Sequence, residues 1–549
     1  MPTMFLLAAC SGTSAVVVGE SPLPPPTDVP IVSVMALDDA GDAVPNAQMT
    51  ANDETVPANG EGVAMVEWRG KAMNVSVEAP GFFPGAVAVE AFSDEPLTLE
   101  LRPVVLRGTV TDSEGRSLVG ATVELEGLRA VSDDDGVFNL ARAVPGELVV
   151  SRPGWHEGTV SWDGASLATT IALEPRIIKG LYVAGVFTGN EEEWGTLLQI
   201  AEETVVNALV IDIKDETGRV FHDSNVETAR ELGAVQSRYD MADIVADMRA
   251  RDLYIIARVV SFQDPIAAQR APEMAVLDTA TGEPYNKRGQ YFLDPTDPQA
   301  RQYALDLAVE ACEYGVDEIQ FDYVRYPDGF AASARFDGGS SEEVRAEFIA
   351  SFLDEAGDLL HPLGCSVAAD IFGFITSVQA DGGIGQQFEM LSEVTDVLSP
   401  MIYPSHYGAG WFGFDSPNDN PGSVAARALD DGLPRLQGAA IVRPWLQDFF
   451  YDWTQVRAQI DAAEQRSVGW MLWNASSNYQ TGALDPDTGG PATTDVDDAA
   501  TTPGAEAADG DGSGASDAGP DTTDTDTTDT DPTDTDPTDT DTTDADTSG

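Results

Sequence analysis

The sequence predicts a multidomain chain built around a (β/α)8 TIM barrel. Two small β-sandwich domains precede the barrel and a disordered acidic C-terminal tail follows it. Three observations carry that reading. Between Gly180 and Tyr479, eight apolar strand runs alternate with amphipathic helical stretches. Upstream, short alternating strands bounded by Gly/Asp turns recur in two similar stretches. Downstream, the chain becomes Asp/Thr/Gly/Pro repeats with almost nothing apolar, which cannot bury a core.

In chain order, residues 1–10 read MPTMFLLAAC, a short apolar run ending in Leu-Ala-Ala-Cys. This resembles the lipobox of bacterial lipoproteins, in which cleavage precedes the cysteine and its thiol is acylated. The resemblance implies lipidation at Cys10 and an exported chain anchored by lipid to the cell envelope. The run is too short to span a bilayer and lacks a basic n-region. Residues 11–28 form a Ser/Val/Pro linker ending in Pro24-Pro25-Pro26, as a tether would.

Residues 29–103 and 104–176 are the two sandwich units. In the second, Gly108-Thr-Val-Thr-Asp112, Gly120-Ala-Thr-Val-Glu-Leu, Val137-Phe-Asn-Leu and Pro145-Gly-Glu-Leu-Val-Val read as strands. The first echoes its turns at Asp38–Gly41, Asn59–Gly62 and Ala79–Phe82. Both units resemble the carboxypeptidase-regulatory-like, prealbumin-like sandwich, which implies a spacer or binding role. Asp133-Asp134-Asp135 lacks the ligand spacing of a calcium loop and reads as a solvated hairpin turn.

The barrel spans 177–482 and the tail 483–549. Its strand candidates are Gly180–Phe187, Asn207–Asp215, Tyr254–Val260, Asp317–Tyr326, Cys365–Gly373, Val397–Tyr407, Ala440–Phe449 and Gly469–Ala475. A doubly wound open sheet would want a Gly-rich phosphate loop after the first strand, and none follows.

Composition narrows the partners. Of 549 residues, 93 are acidic and 29 basic, a formal net charge of -64. Such a chain repels nucleic acid and anionic membranes. The charge suits a solubility adaptation, or an acidic face for a cationic polymer. Cys10, Cys312 and Cys365 offer no disulfide framework and no zinc spacing, so Cys312 and Cys365 read as small core residues. The four histidines, His156, His222, His361 and His406, form no HxH or HExxH pattern, so a metal-dependent hydrolase is disfavoured and no cofactor is expected. A monomer is expected.

Strand parity places the polar residues. Alternate residues of a barrel strand point inward. Asp212 and Lys214 share a face of the second strand, and Arg258 lies among apolar residues in the third. Glu318, Gln320 and Asp322 share a face of the fourth; Asp370 lies in the fifth, Gln447 in the seventh and Trp473 in the eighth. Polar residues in apolar strands cost several kcal/mol, about 2–7 each, unless paired or wet. Here they recur at the carboxyl ends of the strands, where barrel active sites sit.

Glycosidic cleavage usually needs two carboxyl groups. Asp322 and Asp370 end neighbouring strands, which fits a nucleophile or base at Asp322 and a general acid at Asp370. Arg258, Arg325 and Lys214 would keep Asp322 ionised, and the apolar company of Ala368 and Phe372 would keep Asp370 protonated. An ion pair between Asp322 and Arg325 that merely holds the loop is the structural alternative. Asp448 is a third carboxylate of the wrong parity. Tyr323, Tyr326, Tyr403, His406, Tyr407, Trp411 and Trp473 suit a sugar cleft, whereas Trp445 reads as core. Asp212, Lys214, Arg258, Gln320, Arg325, Tyr403, His406, Gln447 and Trp473 are the candidate substrate-binding residues.

The motifs IKGLYVAG, NALVIDIKDETGRV, YIIARVVSFQDP, DEIQFDYVRYPDG, DIFG, LSPMIYPSHY and RPWLQDF occur in that order over roughly residues 178–450. Together they resemble a bacterial family of TIM-barrel glycoside hydrolases, formerly a domain of unknown function. The family often carries an aromatic residue and Asp-Pro before the fourth helix, and Tyr291-Phe-Leu-Asp294-Pro295 serves here. The resemblance implies a carbohydrate polymer as substrate. The competing expectation is a catalytically inactive barrel that binds carbohydrate or cell wall.

Overall fold

The computed structural model describes residues 29–485. Cys10, the 11–28 linker and the tail beyond residue 485 lie outside the described residues. The described chain forms two compact units, residues 29–106 with 140–145 and residues 107–139 with 146–485.

The first unit contains a three-stranded sheet in the order Val63–Glu67, Ile31–Leu37, Leu97–Glu100. Its four-stranded sheet runs Glu54–Pro57, Gln48–Ala51, Met73–Glu78, Gly85–Val89. The alternation seen in the sequence buries Val32, Val34 and Ala36 of one sheet with Met49, Val75 and Val77 of the other in a shared core. The next stretch repeats this plan. One sheet runs Val137–Ala141, Val105–Asp112, Ala168–Leu173; the other runs Leu128–Val131, Thr122–Leu125, Gly146–Ser151, Gly158–Trp162. Asp133 Oδ1 accepts from the Asp135 and Val137 amides, so this carboxylate closes a turn. Most of residues 104–176 fall within the same compact unit as the barrel. Arg152 pairs with Asp396 of the barrel, and Ser366 Oγ donates to the Pro153 carbonyl at 3.1 Å.

The barrel strands are β1 (Lys179–Val183), β2 (Ala208–Lys214), β3 (Tyr254–Val260), β4 (Glu318–Asp322), β5 (Ser366–Phe372), β6 (Val397–Ile402), β7 (Trp445–Gln447) and β8 (Trp470–Trp473). Neighbours pair in parallel, and β8 returns to β1, closing the sheet. Crossover helices follow the first seven strands, among them Glu191–Glu203, Met241–Arg249, Pro298–Glu313, Glu342–Leu360 and Trp453–Glu464. Asn190, Asp240, Asp297, Ser341 and Asp452 start these five helices, each accepting backbone amides of its first turn.

Several strands are shorter than expected, for local reasons. β4 stops at Asp322 because Tyr323 is left-handed, at φ 46°. The seventh run is split around Pro444, which has no N–H for the ladder; Ile441–Val442 pairs with β6 ahead of β7. Parity holds in between. Leu209, Ile211, Ile255, Ala257, Ile319, Phe321, Val367 and Ala369 join the core beneath the helices. Tyr182, Ala208, Val210, Ile256, Trp445 and Met471 form a separate interior cluster.

The cysteine expectation is corrected. Cys312 and Cys365 are joined as a disulfide, Cα atoms 6.1 Å apart. The helix before β4 ends at Glu313 and β5 begins at Ser366, so the fold brings together two thiols 53 residues apart in the chain. No short spacing announces that meeting. Both residues are also buried, as expected.

Candidate active site

The strand ends expected to carry the chemistry converge inside the barrel. Asp212 of β2 stands in register with Arg258 of β3, which stands in register with Gln320 of β4. Phe321 pairs with Ala369, so Asp322 and Asp370 each lie one residue further along adjacent parallel strands. Asp212, Arg258 and Asp370 are each 1% exposed and Asp322 is 5% exposed.

Arg258 holds the centre. Its Nη1 donates to Asp212 Oδ1 at 2.7 Å, while Nε and Nη2 reach Asp322 Oδ2 at 3.0 and 2.6 Å. Burial alone would lower its pKa, but Asp322 and Asp212 outweigh that and raise it well above the usual value. Tyr182 Oη donates to Asp212 Oδ2 at 2.6 Å, and the Gly185 amide at 3.2 Å. Burial nevertheless raises the Asp212 pKa, against the pull of Arg258. Asp322 Oδ1 accepts from the Tyr323 amide at 2.6 Å, a bond made by the same left-handed residue that ends β4.

Asp370 sits in a different environment. Trp445 Nε1 donates to Oδ1 at 2.7 Å, while Oδ2 has no hydrogen-bond partner. Burial first, and the nearby Asp322 charge second, raise its pKa well above the ordinary carboxyl value. Burial first, and then the charges of Asp370 and Asp322, push the Tyr403 hydroxyl well above its ordinary pKa.

A fourth carboxyl group stands at the mouth. Glu216 Oε2 lies 3.7 Å from Arg258 Nη2, its side chain 22% exposed. Its pKa is raised by burial, with Asp215 and Asp322 adding and Arg258 opposing. The loop carrying it is fixed. Asp215 Oδ1 accepts from the Thr217 and Arg219 amides, and Gly218 turns left-handed where a Cβ would lie 2.2 Å from Asp264 Oδ1.

Two of the three expected cations go elsewhere. The register slips between Asp212 and Lys214, and Lys214 Nζ lies 3.0 Å from Asp264 and donates to the Val260 carbonyl at 2.6 Å. Arg325 lies 3.5 Å from Asp328 and over the rings of Phe372 and Tyr323, at 4.6 and 4.8 Å. The partner of Asp322 is therefore Arg258, and the Asp322–Arg325 alternative is not what forms.

The remaining candidates divide. Trp473 stacks on Tyr182 at 4.0 Å and lies 5.0 Å from the Arg258 guanidinium. His406 packs edge-on against Tyr403 at 5.4 Å. Gln320 Nε2 donates to Ser399 at 3.2 Å, with its carbonyl oxygen unpartnered. Gln447 is occupied within the protein: Oε1 accepts from Ser405 N and Oγ, and Nε2 donates to the Phe449 carbonyl. Asp448 accepts from Asn474 and the Gln480 amide, apart from the acid pair. Tyr326 and Tyr407 pack into the core beneath the helices rather than into a cleft.

Sequence reasoning missed Tyr182 and Glu216 and took Trp445 for core alone. Tyr182 was legible by parity, since Leu181 and Val183 on either side face outward. Glu216 sits in a loop, where periodicity says nothing. Trp445 is both packing and donor, a distinction that only its neighbour across the barrel reveals. Among the described residues, no group of three or more His, Cys, Asp or Glu side chains is arranged to hold a metal ion.

Residues 180–479 match the family described as "putative glycosyl hydrolase domain". Among solved structures, the chain is similar to a hypothetical protein from Ruminiclostridium thermocellum at 35% identity, over 35% of this chain and 96% of that one, with a TM-score of 0.32. It is similar to an α-galactosidase from Thermus thermophilus at 16% identity, over 74% and 85% of the two chains, TM-score 0.35. It is also similar to the glycoside hydrolase domain of PelA from Pseudomonas aeruginosa at 12% identity, over 55% and 96%, TM-score 0.34. No curated protein matches the chain.

Proposed function

The chain belongs to that glycosyl hydrolase family, and on this premise we propose that it cleaves glycosidic bonds of a polysaccharide with two carboxyl groups, Asp322 and Asp370. One observation supports the pairing above all others. Two acids side by side on β4 and β5 have opposed surroundings: Asp322 is ion-paired with Arg258, while burial and the Asp322 charge favour the protonated form of Asp370. A pair so divided suits a nucleophile or base beside a proton donor. Adjacent strands lie about 4.8 Å apart, which suits the ~5–5.5 Å separation of retaining enzymes better than the ~6.5–9.5 Å of inverting ones.

In this mechanism Asp370 gives its proton to the leaving oxygen as the bond to the anomeric carbon breaks. Asp322 attacks that carbon, and water then releases the sugar with Asp370 taking the proton back. The Arg258 guanidinium and the Tyr323 amide hold the attacking carboxylate in place, so little reorganisation accompanies reaction. Trp473 and Tyr403 offer ring faces for the sugar, with Tyr182 backing Trp473 and His406 beside Tyr403. Asp212 positions Arg258, and Gln447 positions the loop after β6. Lys214 and Arg325 act at one remove, through Asp264 and through the rings of Tyr323 and Phe372.

The test is hydrolysis of a panel of bacterial and plant polysaccharides by the purified full chain. Asp322→Asn and Asp370→Asn should each lower turnover of the best substrate by about 100-fold or more. Full activity in both variants overturns the assignment. The rival reading, an inactive barrel that binds carbohydrate, draws on the depth of Asp370, only 1% exposed. Binding of a polymer with no turnover of any would favour it. Export to an oxidising compartment is part of the proposal, supported by the Cys312–Cys365 disulfide. Anchoring through Cys10 and a spacer role for the upstream sheets complete it.

A further inference from the structure

The loop after β7 carries a feature that the two-carboxylate mechanism does not use. Phe450 is 80% exposed and left-handed, at φ 64°. A single exposed apolar side chain is ordinary, but a bulky residue at positive φ is a strained outlier. Here neither cost is relieved by burial of the ring.

The loop cannot relax out of this conformation, because residues on both sides are pinned. Asp448 is buried and accepts from Asn474 Nδ2 at 2.8 Å and from the Gln480 amide at 3.1 Å. The Phe449 carbonyl takes Gln447 Nε2 at 3.0 Å. Tyr451 is buried, its hydroxyl on the Asn418 carbonyl at 2.9 Å. Strain held in place by buried anchors, with an apolar ring presented to water, is the pattern of a ligand contact.

The ring also continues the site. Phe450 packs edge-on against Phe449 at 5.2 Å, and Phe449 against Tyr403 at 5.5 Å. Tyr403 belongs to the interior cluster that holds Trp445, whose indole N–H bonds Asp370. A row of rings thus leads from the acid pair to solvent on the β7 side of the barrel.

Resting on the hydrolase reading, we propose that Phe450 is the outer platform of an extended subsite and stacks on a sugar ring remote from the bond being cleaved. The substrate is then a polymer, not a disaccharide. Its rings are uncharged, because an aromatic platform takes the apolar face of a pyranose while the chain's net charge of -64 repels polyuronates.

The experiment is native affinity electrophoresis of the full chain in gels containing soluble starch, laminarin, β-1,4-galactan or polygalacturonate. Asp370→Asn serves as background, so that binding is read without turnover. At least one neutral polymer should retard the protein, and polygalacturonate should not. Phe450→Ala in that background should weaken the retardation by about 3- to 10-fold, with Phe450→Trp restoring it and the melting temperature unchanged. Retardation of Phe450→Ala equal to the background, preference for polygalacturonate, or no retardation in any of the four gels overturns the proposal. Binding that depends on Phe450 without any turnover by the unmutated chain would overturn the hydrolase reading and leave the platform standing.

Discussion

Removing the Arg258 guanidinium strands two carboxylates. Asp212 and Asp322 would lose their shared ion-pair partner while both remain buried. Breaking a buried charge network in this way typically costs about 3–5 kcal/mol. Arg258→Met should therefore lower the urea midpoint markedly, by far more than loss of a surface pair such as Arg69–Glu54. Equal midpoints for the two variants would refute the central role given to Arg258. A second prediction concerns Trp445. Its indole N–H bonds the Asp370 carboxylate and so opposes the rise in its pKa. Trp445→Phe removes that donor, and the Asp370 pKa should climb further. If Asp370 is the acid, activity is lost as pH rises through its pKa, so the alkaline limb of kcat/KM should move to higher pH. An unmoved limb, or one moved downward, would remove Asp370 from that role. At this scale the sequence was informative wherever a strand imposes parity: Asp212, Arg258, Asp322 and Asp370 were all legible. It was silent about which cation would reach which acid, because one bulge in β2 was enough to send Lys214 to Asp264.

Elements were legible to the extent that periodicity defines them. Eight strands and their order follow from apolar runs, whereas the caps that start five of the helices came only with the structure. Strand ends were less legible. The left-handed Tyr323 cannot be read from its own residue type, which does not favour that conformation. The Cys312–Cys365 bond escaped for a related reason: its partners are neighbours only once β4 and β5 pair. Its contribution can be bounded. Closing 53 residues removes loop entropy from the unfolded chain worth about 4 kcal/mol, within a usual range of ~2–5. Cys312→Ala with Cys365→Ala should lower the urea midpoint of barrel tryptophan fluorescence accordingly, and reductant should have no effect on that variant. If reductant leaves the midpoint of the unmodified chain unchanged, the bridge does not form in solution.

On the largest scale, the acid response of the chain should report on how residues 146–176 are tied to the barrel within one unit. Arg152 and His361 both bond the carboxylate of Asp396, His361 Nε2 at 2.9 Å, and the Val367 amide adds a third bond at 2.7 Å. Burial would raise the Asp396 pKa, but these partners reverse that and hold it well below 3.8. A depressed folded pKa stabilises the folded state above the unfolded value near 3.8, and that contribution is lost as pH falls below it. Asp396→Asn removes the titrating group and leaves Arg152 without its charge partner. The variant should be less stable than the unmodified chain by about 3–5 kcal/mol between roughly pH 5 and 8. The gap should narrow below about pH 4, as the unmodified chain loses what the variant never had. Urea midpoints measured from pH 3 to 8 decide it. A gap that stays constant down to pH 3 would mean that the Asp396 charge contributes nothing, and that packing alone joins residues 146–176 to the barrel.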